Sequence, residues 1–381
     1  MKFERAAEKE PEEEMVPKET AYTERPPQEA QDFDVLRSAL QAWFEQTMSP
    51  QANDVVVSNF ERTAAGSSNE TYLFELSWKE RGEPRLERLV IRLRPRRKGV
   101  YPEYDFERQC RLFDLLRSCT DIPVPHIRAF EPNPKVLGTP FYIMYRAAGR
   151  APNDFPPLHA PEGWFGRLSG ARQSKIYHVG LETLAFIHSV DWRACELTFL
   201  ERSERGVSAL DQQLNYSRWH YDWARGDDRI ALIEKTFDWL EENKPSDEEK
   251  RLSWGDARLG NMMFEGDECT AVLDWEVAGI ADPALDVSHW LLSDEMLSVR
   301  VGVPRLSNVP TAEQVVRYYE QVSGRNLKNL SYYMIFDSLR TAIMMIRMAT
   351  IMAEDPNNRT GYTPSDNIAT RHLENVFERF S

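Results

Sequence analysis

Long hydrophobic runs and close cysteine pairs are both missing from this sequence of 381 residues, and each absence excludes a class of protein. The four cysteines are scattered, which argues against a thiolate zinc site or a redox dithiol and favours a reducing compartment. The best candidate for a membrane span, residues 332–352, is interrupted by Asp337, Arg340 and Arg347. The N-terminus lacks the apolar core of a signal peptide. We therefore expect a soluble, cytoplasmic protein with no membrane partner.

Positive charge is also scarce, since 47 Lys and Arg face 61 Asp and Glu to give a net charge of -14. Nucleic-acid binding needs clustered basic residues, so we expect no nucleic-acid partner. The chain contains neither a P-loop nor a Gly-x-Gly-x-x-Gly fingerprint, which removes the main support for those nucleotide-binding folds. Its seven histidines form no metal-binding pattern. Hydrophobic residues at 41% nevertheless suffice for a packed core.

Hydrophobic patterns divide the chain into a tail and two lobes. Residues 1–31 are rich in Glu and Pro and predict a disordered acidic tail. Residues 32–147 begin with a helical pattern and continue as strand, turn, strand, strand, helix and two strands, which predicts a small β-rich N-lobe. Its third strand is expected over residues 88–93, after a connector at residues 81–84. Residues 148–381 contain mainly helical patterns separated by Gly, Pro and polar loops, which predicts a larger C-lobe. The expected fold class is α+β.

The most informative motif lies in the C-lobe, where Asp256 and Asn261 are followed by Asp274 at the end of an apolar run. A turn at residues 266–267 would fold the intervening segment into a hairpin and bring Asp274 back toward Asn261. Two carboxylates about 4 Å apart repel by roughly 4 kcal/mol at an effective dielectric of 20, so a cation should compensate them. Mg²⁺ prefers such oxygen ligands together with phosphates. A loop Asp near a Gly can also simply form a turn, but the second acid favours catalysis.

With three further segments, this block resembles the aminoglycoside phosphotransferase and choline kinase superfamily, whose pattern is His-Gly-Asp-x-x-x-x-Asn followed by Asp-Trp-Glu. The further segments are residues 66–72, 136–144 and 184–188. The resemblance covers roughly residues 55–350 and is greatest for the phosphotransferase enzyme family of actinobacteria, a branch that includes kinase-like domains joined to acyl-CoA dehydrogenases. It implies a bilobal protein-kinase-like fold that uses ATP and Mg²⁺ to phosphorylate a hydroxyl of a small molecule.

The resemblance also implies roles for individual residues. Asp256 would be the catalytic base, Asn261 and Asp274 would be the Mg²⁺ ligands, and Asp286 would steady the catalytic loop. ATP would be bound in the N-lobe and at the connection between the lobes. The residues that would bind it are Gly66, Ser67, Ser68, Asn69, Arg92, Met144, Tyr145 and Arg146.

Three departures from the family pattern affect these roles. Trp254 stands where His is usual, and we expect it to change packing rather than chemistry. Arg92 replaces the usual strand lysine but can still bind phosphate in a bidentate way. Its partner on the following helix is open: Glu107 is the support residue we select, Gln109 occupies the aligned place, and Glu103 lies one turn further away.

Three functions remain after this comparison. The first is a kinase for a small hydroxylated metabolite or antibiotic, aminoglycosides included. The second is a kinase for a hydroxy-acyl or lipid-like substrate, which the scarcity of acidic clusters slightly favours. The third is a nucleotide-binding pseudokinase or interaction module, against which Asp256, Asn261 and Asp274 argue. His188, on an apolar helix face, is interpreted as a buried structural residue. The sequence decides neither the acceptor, nor the oligomeric state, nor ATP over GTP.

Overall fold

The computed structural model describes residues 33–63, 69–95, 99–152, 156–354, 358 and 360–381. The predicted acidic tail, residues 1–31, lies outside the described residues, as do Gly66, Ser67 and Ser68. The described chain forms a small sheet-based lobe and a larger, mainly helical lobe. This is the α+β arrangement that the hydrophobic patterns predicted.

The N-lobe is built on one antiparallel sheet. Its elements are α1 (Phe33–Thr47), β1 (Ala52–Arg62), β2 (Glu70–Glu80), β3 (Glu83–Leu93), α2 (Phe106–Cys119), β4 (Ile127–Glu131) and β5 (Phe141–Tyr145). The strand order across the sheet is β1-β2-β3-β5-β4, and each adjacent pair is antiparallel. The predicted order of strands and helices in this lobe is confirmed.

The hairpin between β2 and β3 is tighter than the sequence predicted. Glu80 pairs with Glu83, so the turn consists of Arg81 and Gly82, whose φ angles are both positive, at 53° and 86°. Two such residues form a type I′ turn, whose twist matches that of antiparallel strands. The third strand therefore begins at Glu83 rather than at the predicted Arg88.

An apolar stripe on α1 covers one face of this sheet. Leu36, Leu40 and Phe44 are almost completely buried, because a spacing of four places them on the same side of the helix. Trp43 adds a hydrogen bond from its Nε1 to Glu131 at 2.9 Å, which ties α1 to β4. Burying each large apolar side chain contributes about 1.5–3 kcal/mol, so α1 is an integral part of the lobe.

The C-lobe contains helices and two short strand pairs around one large core. Its elements are α3 (Gly170–Ser189), α4 (Ala209–Ala224), α5 (Ala231–Glu242), β6 (Arg251–Ser253), β7 (Met262–Glu265), β8 (Glu268–Val272), β9 (Gly279–Ala281), α6 (Pro283–Met296), α7 (Ala312–Ser323), α8 (Leu330–Ala353) and α9 (Ile368–Phe380). Short 3₁₀ turns include Leu197–Leu200, Ser203–Arg205 and Leu259–Asn261. β6 pairs with β9, and β7 pairs with β8 in the predicted hairpin.

The centre of the C-lobe core lies between α3, α6 and α8, where Leu184, Trp290 and Phe336 are buried in one cluster. Across the described ranges, no helix combines the length and apolarity needed to cross a membrane.

Helix α2 belongs to both lobes. Its first turns pack Phe106 and Cys110 against Tyr142 beneath the sheet, whereas Phe113 and Leu116 belong to the large core of the C-lobe. Asp105 caps the helix by accepting a hydrogen bond from the backbone N–H at position 108. The helix therefore packs against both lobes and connects them.

The expectation that all cysteines are reduced is wrong for two of them. Cys119, the last residue of α2, and Cys195, which follows α3, form a disulfide with their Cα atoms 5.8 Å apart. Sequence spacing concealed the pair because 76 residues separate them. Cys110 and Cys269 are free thiols. The disulfide removes the support that scattered cysteines gave to a reducing compartment.

Candidate active site

Asn261 connects the two acidic segments of the predicted site. It ends the 3₁₀ turn before β7, and its Nδ2 donates to the backbone carbonyl of Asp256 at 3.1 Å. Its own carbonyl accepts from the N–H of Leu273 at 2.8 Å, directly before Asp274. The structure thus brings Asp256, Asn261 and Asp274 to one place through the β7–β8 hairpin, as the sequence predicted.

Asp286, in the first turn of α6, holds the loop that carries Asp256. Its buried carboxylate accepts hydrogen bonds from the Ser253 hydroxyl at 2.8 Å and from the backbone N–H groups of Trp254 and Gly255 at 2.7 and 3.0 Å. Burial alone would raise the pKa of Asp286, but His188 and these donors outweigh burial and lower it. The contacts agree with the supporting role expected of Asp286.

The loop has little room to move. Gly255 has a φ of +89°, and a Cβ placed there would lie 2.6 Å from the carbonyl oxygen of Val277, so only glycine fits. His188 is fully buried between Asp286 and the Tyr319 hydroxyl, at 3.0 and 2.6 Å. It is the structural histidine that the sequence indicated.

Trp254 keeps a hydrogen-bonding role at the position where the family usually has His. Its ring is fully buried, and its Nε1 donates to the carbonyl of Leu273 at 2.7 Å. This bond ties the Asp256 loop to the segment that carries Asp274. Trp254 thus supplies a hydrogen-bond donor in a buried position. The expectation that it changes packing rather than chemistry stays a prediction.

Asp274 adopts a strained backbone conformation beside Arg92. Its φ is +55°, which is uncommon for a residue other than glycine and is often found at functional sites. The Arg92 Nη1 lies 2.7 Å from Asp274 Oδ1, and Nη2 lies 3.7 Å from Glu276 Oε1. Asn69 donates from Nδ2 to the other oxygen of Glu276 at 3.0 Å. These contacts join the N-lobe sheet to the segment after β8.

Arg92 is 7% exposed, and its charge is compensated by the C-lobe. Burial alone would lower the pKa of Arg92, but Tyr142, Asp274 and Glu276 outweigh burial and raise it. The guanidinium is therefore a permanent positive charge next to Asp274, where the phosphates of a nucleotide would need one.

The prediction that Glu107 supports Arg92 is wrong. Glu107 is exposed on the first turn of α2, and Gln109 is the buried residue there, where its Oε1 accepts from the Tyr142 hydroxyl at 3.4 Å. Glu103 is exposed in the loop before the helix. The partners of Arg92 come instead from the segment after β8, 182 residues away, which helix spacing could not reveal.

Asp256 is held by two cationic side chains. Its Oδ1 lies 2.9 Å from His289 Nε2 and 3.2 Å from Arg258 Nε. Burial alone would raise the pKa of Asp256, but Arg258 and His289 outweigh burial and hold it below its usual range. The carboxylate is therefore ionised at neutral pH and able to accept a hydrogen bond from a hydroxyl.

Sequence reasoning missed His289, which lies one turn after Asp286 on the same face of α6. Its Nδ1 is 3.1 Å from both oxygens of Asp337 on α8, and Arg340 reaches both Asp337 and the carbonyl of Gly255, at 3.5 and 3.4 Å. Burial would lower the pKa of His289, but the two carboxylates raise it to about 10. The signal that could have revealed His289 is its spacing of three from Asp286.

The proposed nucleotide contacts Met144, Tyr145 and Arg146 lie at the end of β5 and at the first residue after it, where the chain leaves the N-lobe sheet. The backbone N–H of Tyr145 donates to the backbone carbonyl of His126 at 2.9 Å, and the N–H of Arg146 donates to the backbone carbonyl of Arg88 at 3.0 Å. Arg150 then forms a bridge with Phe264 in β7. An adenine that binds here would have to use other backbone groups of the connection. Met144, Tyr145 and Arg146 as ATP-binding residues stay a prediction, as does the division of the chain at residues 147 and 148.

The residues expected to hold Mg²⁺ offer suitable atoms. Asn261 donates through its amide nitrogen, so its amide oxygen is the atom it would offer to a cation, and Asp274 contributes a carboxylate. Oxygen ligands of this kind suit Mg²⁺, which also needs phosphate oxygens and water. Within the described part of the chain there is no cluster of three or more His, Cys, Asp or Glu residues that could hold a metal without such additional ligands.

Comparison with known proteins gives a family and a fold. The model of the "Phosphotransferase enzyme family" matches residues 59–320. Acyl-CoA dehydrogenase family member 11 from Mus musculus is 27% identical over 322 residues, which cover 81% of this chain and 38% of that protein. The chain thus spans well under half the length of this curated relative.

Solved structures show the same fold. A putative aminoglycoside phosphotransferase from Ralstonia eutropha has a TM-score of 0.64 at 23% identity, covering 90% of this chain and 98% of the other. A thermostable mutant of aminoglycoside phosphotransferase APH(4)-Ia, in ternary complex with ADP and hygromycin B, has a TM-score of 0.50 at 15% identity, with 90% and 97% covered. At these identities the likeness establishes the two-lobed fold rather than a substrate.

Proposed function

The chain belongs to the phosphotransferase enzyme family, and from this premise we propose that it transfers the γ-phosphoryl group of ATP, with Mg²⁺, to a hydroxyl of a small molecule. The observation that supports the proposal is the contact network of Asn261, which bonds the carbonyl of Asp256 and the N–H of Leu273, the residue before Asp274. A base, an amide and a second acid in this relation are the parts that kinase-type phosphoryl transfer requires. The neighbour that contains ADP supports a nucleotide as the donor.

Asp256 is the proposed base. Because Arg258 and His289 keep it ionised, it would accept a hydrogen bond from the acceptor hydroxyl and hold that oxygen in line with the bond that breaks. As the phosphoryl group leaves ADP, the hydroxyl proton passes to Asp256 Oδ. Phosphoryl transfer is mainly a matter of such positioning and of charge neutralisation.

Charge neutralisation is assigned to Arg92 and to the residues that would hold the metal. A bound Mg²⁺ would supply part of the neutralisation of the phosphate charge. Asn261 and Asp274 would hold it, and Arg92, 2.7 Å from Asp274, places a second positive charge next to the same phosphates. Asn69, whose side chain is bonded to Glu276, would also lie close to these phosphates.

The acceptor class is open between two chemistries. The structural neighbour in complex with hygromycin B binds an aminoglycoside-type hydroxyl compound. The mouse relative carries the name of an acyl-CoA dehydrogenase, which favours a hydroxy-acyl acceptor as the second candidate. The third candidate, a nucleotide-binding module without catalysis, is disfavoured because Asp256 is held ionised beside Asn261. A cytoplasmic location stays a prediction.

The test compares native protein with Asp256→Asn in a metabolite screen with labelled ATP. We expect the variant to lose roughly 10²–10⁴ in turnover while it still binds ATP, because the base acts on the hydroxyl and not on the nucleotide. Asp267→Asn is the matched control, since Asp267 is also an aspartate bonded to an arginine, Arg172, but lies in the β7–β8 turn.

Two results would count against the proposal. Unchanged turnover in Asp256→Asn would remove this residue from the mechanism. Tight ATP binding by the native protein, without transfer to any acceptor in the screen, would favour the nucleotide-binding module.

A further inference from the structure

A second cavity adjoins the proposed catalytic cleft. It is partly open to solvent and lies between the start of α2, residues 200–202, α4 and the segment after Asp274. Glu276 lines it and also pairs with Arg92. Tyr101 lines it as well. Burial raises the pKa of this tyrosine, and Glu276 and Asp256 raise it further. The cavity therefore adjoins the segment after Asp274 through Glu276, the partner of Arg92.

Arg202 is the unusual residue in the wall of this cavity. The residue is only 8% exposed, yet among the described residues its guanidinium has no carboxylate within ion-pair distance and no hydrogen-bond acceptor. Its backbone N–H bonds Gln212 at 2.9 Å, and its guanidinium carbon lies 3.6 Å from the centroid of the Tyr216 ring. Stacking on a ring offsets only a small part of the cost of burying a charge.

Arg108 adds a second positive charge to the same wall. Its Nη2 donates to the backbone carbonyl of Leu200 at 3.3 Å. Because this carbonyl is neutral, the bond does not compensate the charge of Arg108. Burial lowers the pKa of Arg108 and lowers that of Arg202 to about 10, which is the direction expected for cations that lack a nearby anion.

The carboxylates of the cavity do not supply that anion. Glu276 is already bonded to Asn69 and Arg92. Asp105 is exposed and caps α2, and Glu103 is exposed at the mouth. Exposed charges are screened by solvent, so they compensate a buried guanidinium poorly.

We propose that this cavity binds an anionic group of the phosphate acceptor, a carboxylate or a phosphate, with Arg202 as its main contact and Arg108 beside it. The inference rests on the proposed function, since it places the acceptor's anion in the cavity and the acceptor's hydroxyl at Asp256. A planar guanidinium that is already fixed against Tyr216 is suited to bidentate recognition of either anion.

The binding test uses the full chain saturated with Mg²⁺ and AMP-PNP, so that the ATP phosphate site is filled. Propionate and methyl phosphate are titrated separately by calorimetry into native protein, Arg202→Gln and Arg193→Gln. Arg193 is the matched control, because it also stacks on an aromatic ring, Trp192 at 3.8 Å, but is exposed and does not line the cavity. Circular dichroism verifies folding, and Arg108→Gln replaces Arg202→Gln if the latter does not fold.

We expect at least one anion to bind the native protein, with affinity about tenfold or more lower in Arg202→Gln, as for loss of a charge-assisted hydrogen bond. The Arg193→Gln variant should match the native protein. Which anion binds distinguishes a carboxylate from a phosphate. Equal affinity in native protein and Arg202→Gln, or no binding of either anion, overturns the inference.

An activity test separates this inference from the proposed function. Hydroxycarboxylates of graded chain length and their uncharged amides are offered with labelled ATP, and the acids should have the lower KM in native protein but not in Arg202→Gln. Equal transfer to acids and amides overturns the anion site while phosphoryl transfer stands. Binding of an anion at Arg202 without transfer to any acceptor overturns phosphoryl transfer while the anion site stands.

Discussion

The surroundings of His289 raise the pKa of its imidazole, so that the ring is protonated at neutral pH. It lies between Asp256 of the catalytic loop and Asp337 of α8. Arg258 also contacts Asp256, and Arg340 also contacts Asp337. A protonated imidazole donates from both nitrogens, so it can hold Asp256 in one orientation while Asp337 holds the ring. Because Asp337 is only 1% exposed, this support is rigid.

We predict that His289 makes stability pH-dependent in the alkaline range. Its pKa is about 10 in the folded protein against 6.5 for an ordinary histidine, so its stabilising contribution is complete below about pH 6.5 and is lost as pH rises toward 10. In His289→Gln we expect a free energy of unfolding lower by about 3 kcal/mol at pH 7 and a shallower decline to pH 10. Urea unfolding across this range measures both.

The control for that measurement is His178→Gln. His178 is half-buried, and its Nδ1 bonds the backbone carbonyl of Ser174 rather than a carboxylate. Its variant should decline with pH as steeply as the native protein does. Parallel curves for native protein and His289→Gln would show that His289 is not protonated in the fold.

Residues close in sequence were the ones that the sequence could place. Asp256 and Asn261 share one loop, and a short hairpin returns Asp274 to them, so local turn chemistry was sufficient. His289 and Asp337 lie 48 residues apart on two helices, and Arg92 and Asp274 lie 182 apart in different lobes. Such pairs depend on helix packing and on lobe contact, which hydrophobic periodicity does not specify.

At the scale of elements, the sequence pattern predicted strands that contain alternating apolar residues and missed strand segments that are mainly polar. The β7–β8 hairpin was predicted because apolar runs at residues 262–264 and 271–273 lie on either side of the turn at residues 266–267. The first half of β3 was missed, since it is an exposed, charged stretch that carries no apolar alternation. It is a strand because the type I′ turn at Arg81 and Gly82 continues its ladder with β2.

Helix α2 is fixed at its end by the Cys119–Cys195 bond, which closes a loop of 76 residues. A cross-link of this span restricts the unfolded chain, and we expect Cys195→Ser to lower the free energy of unfolding by about 2–4 kcal/mol. Urea unfolding of native protein and variant without reductant measures the loss.

Added reductant should give the native protein the same loss and leave Cys195→Ser unaffected. Cys269→Ser is the control, because Cys269 is a partly buried free thiol and its variant should stay sensitive to reductant. Native protein that is insensitive to reductant would show that the two thiols are not joined in solution.

At the scale of the whole molecule, polar side chains connect the two lobes across the cleft. Asn69, directly before β2, and Arg92, in β3, both contact Glu276 of the C-lobe, at 3.0 and 3.7 Å. Helix α2 forms a second connection between the lobes, because its apolar residues pack in the cores of both. The sequence could divide the chain into two lobes by composition, but it could not show that a charged network would couple them.

We predict that Glu276→Gln loosens both lobes at once. The amide can still bond Asn69, but Arg92 then retains Asp274 as its full negative partner, and loss of one charge beside a buried guanidinium should cost about 1–3 kcal/mol. Hydrogen–deuterium exchange should therefore accelerate in β2 and β3 and also in the segment after β8. The control is Glu87→Gln, since Glu87 pairs with Arg128 at 3.1 Å within the N-lobe and its loss should accelerate exchange in that lobe alone. If exchange in Glu276→Gln changes on one side of the cleft only, this residue does not couple the lobes.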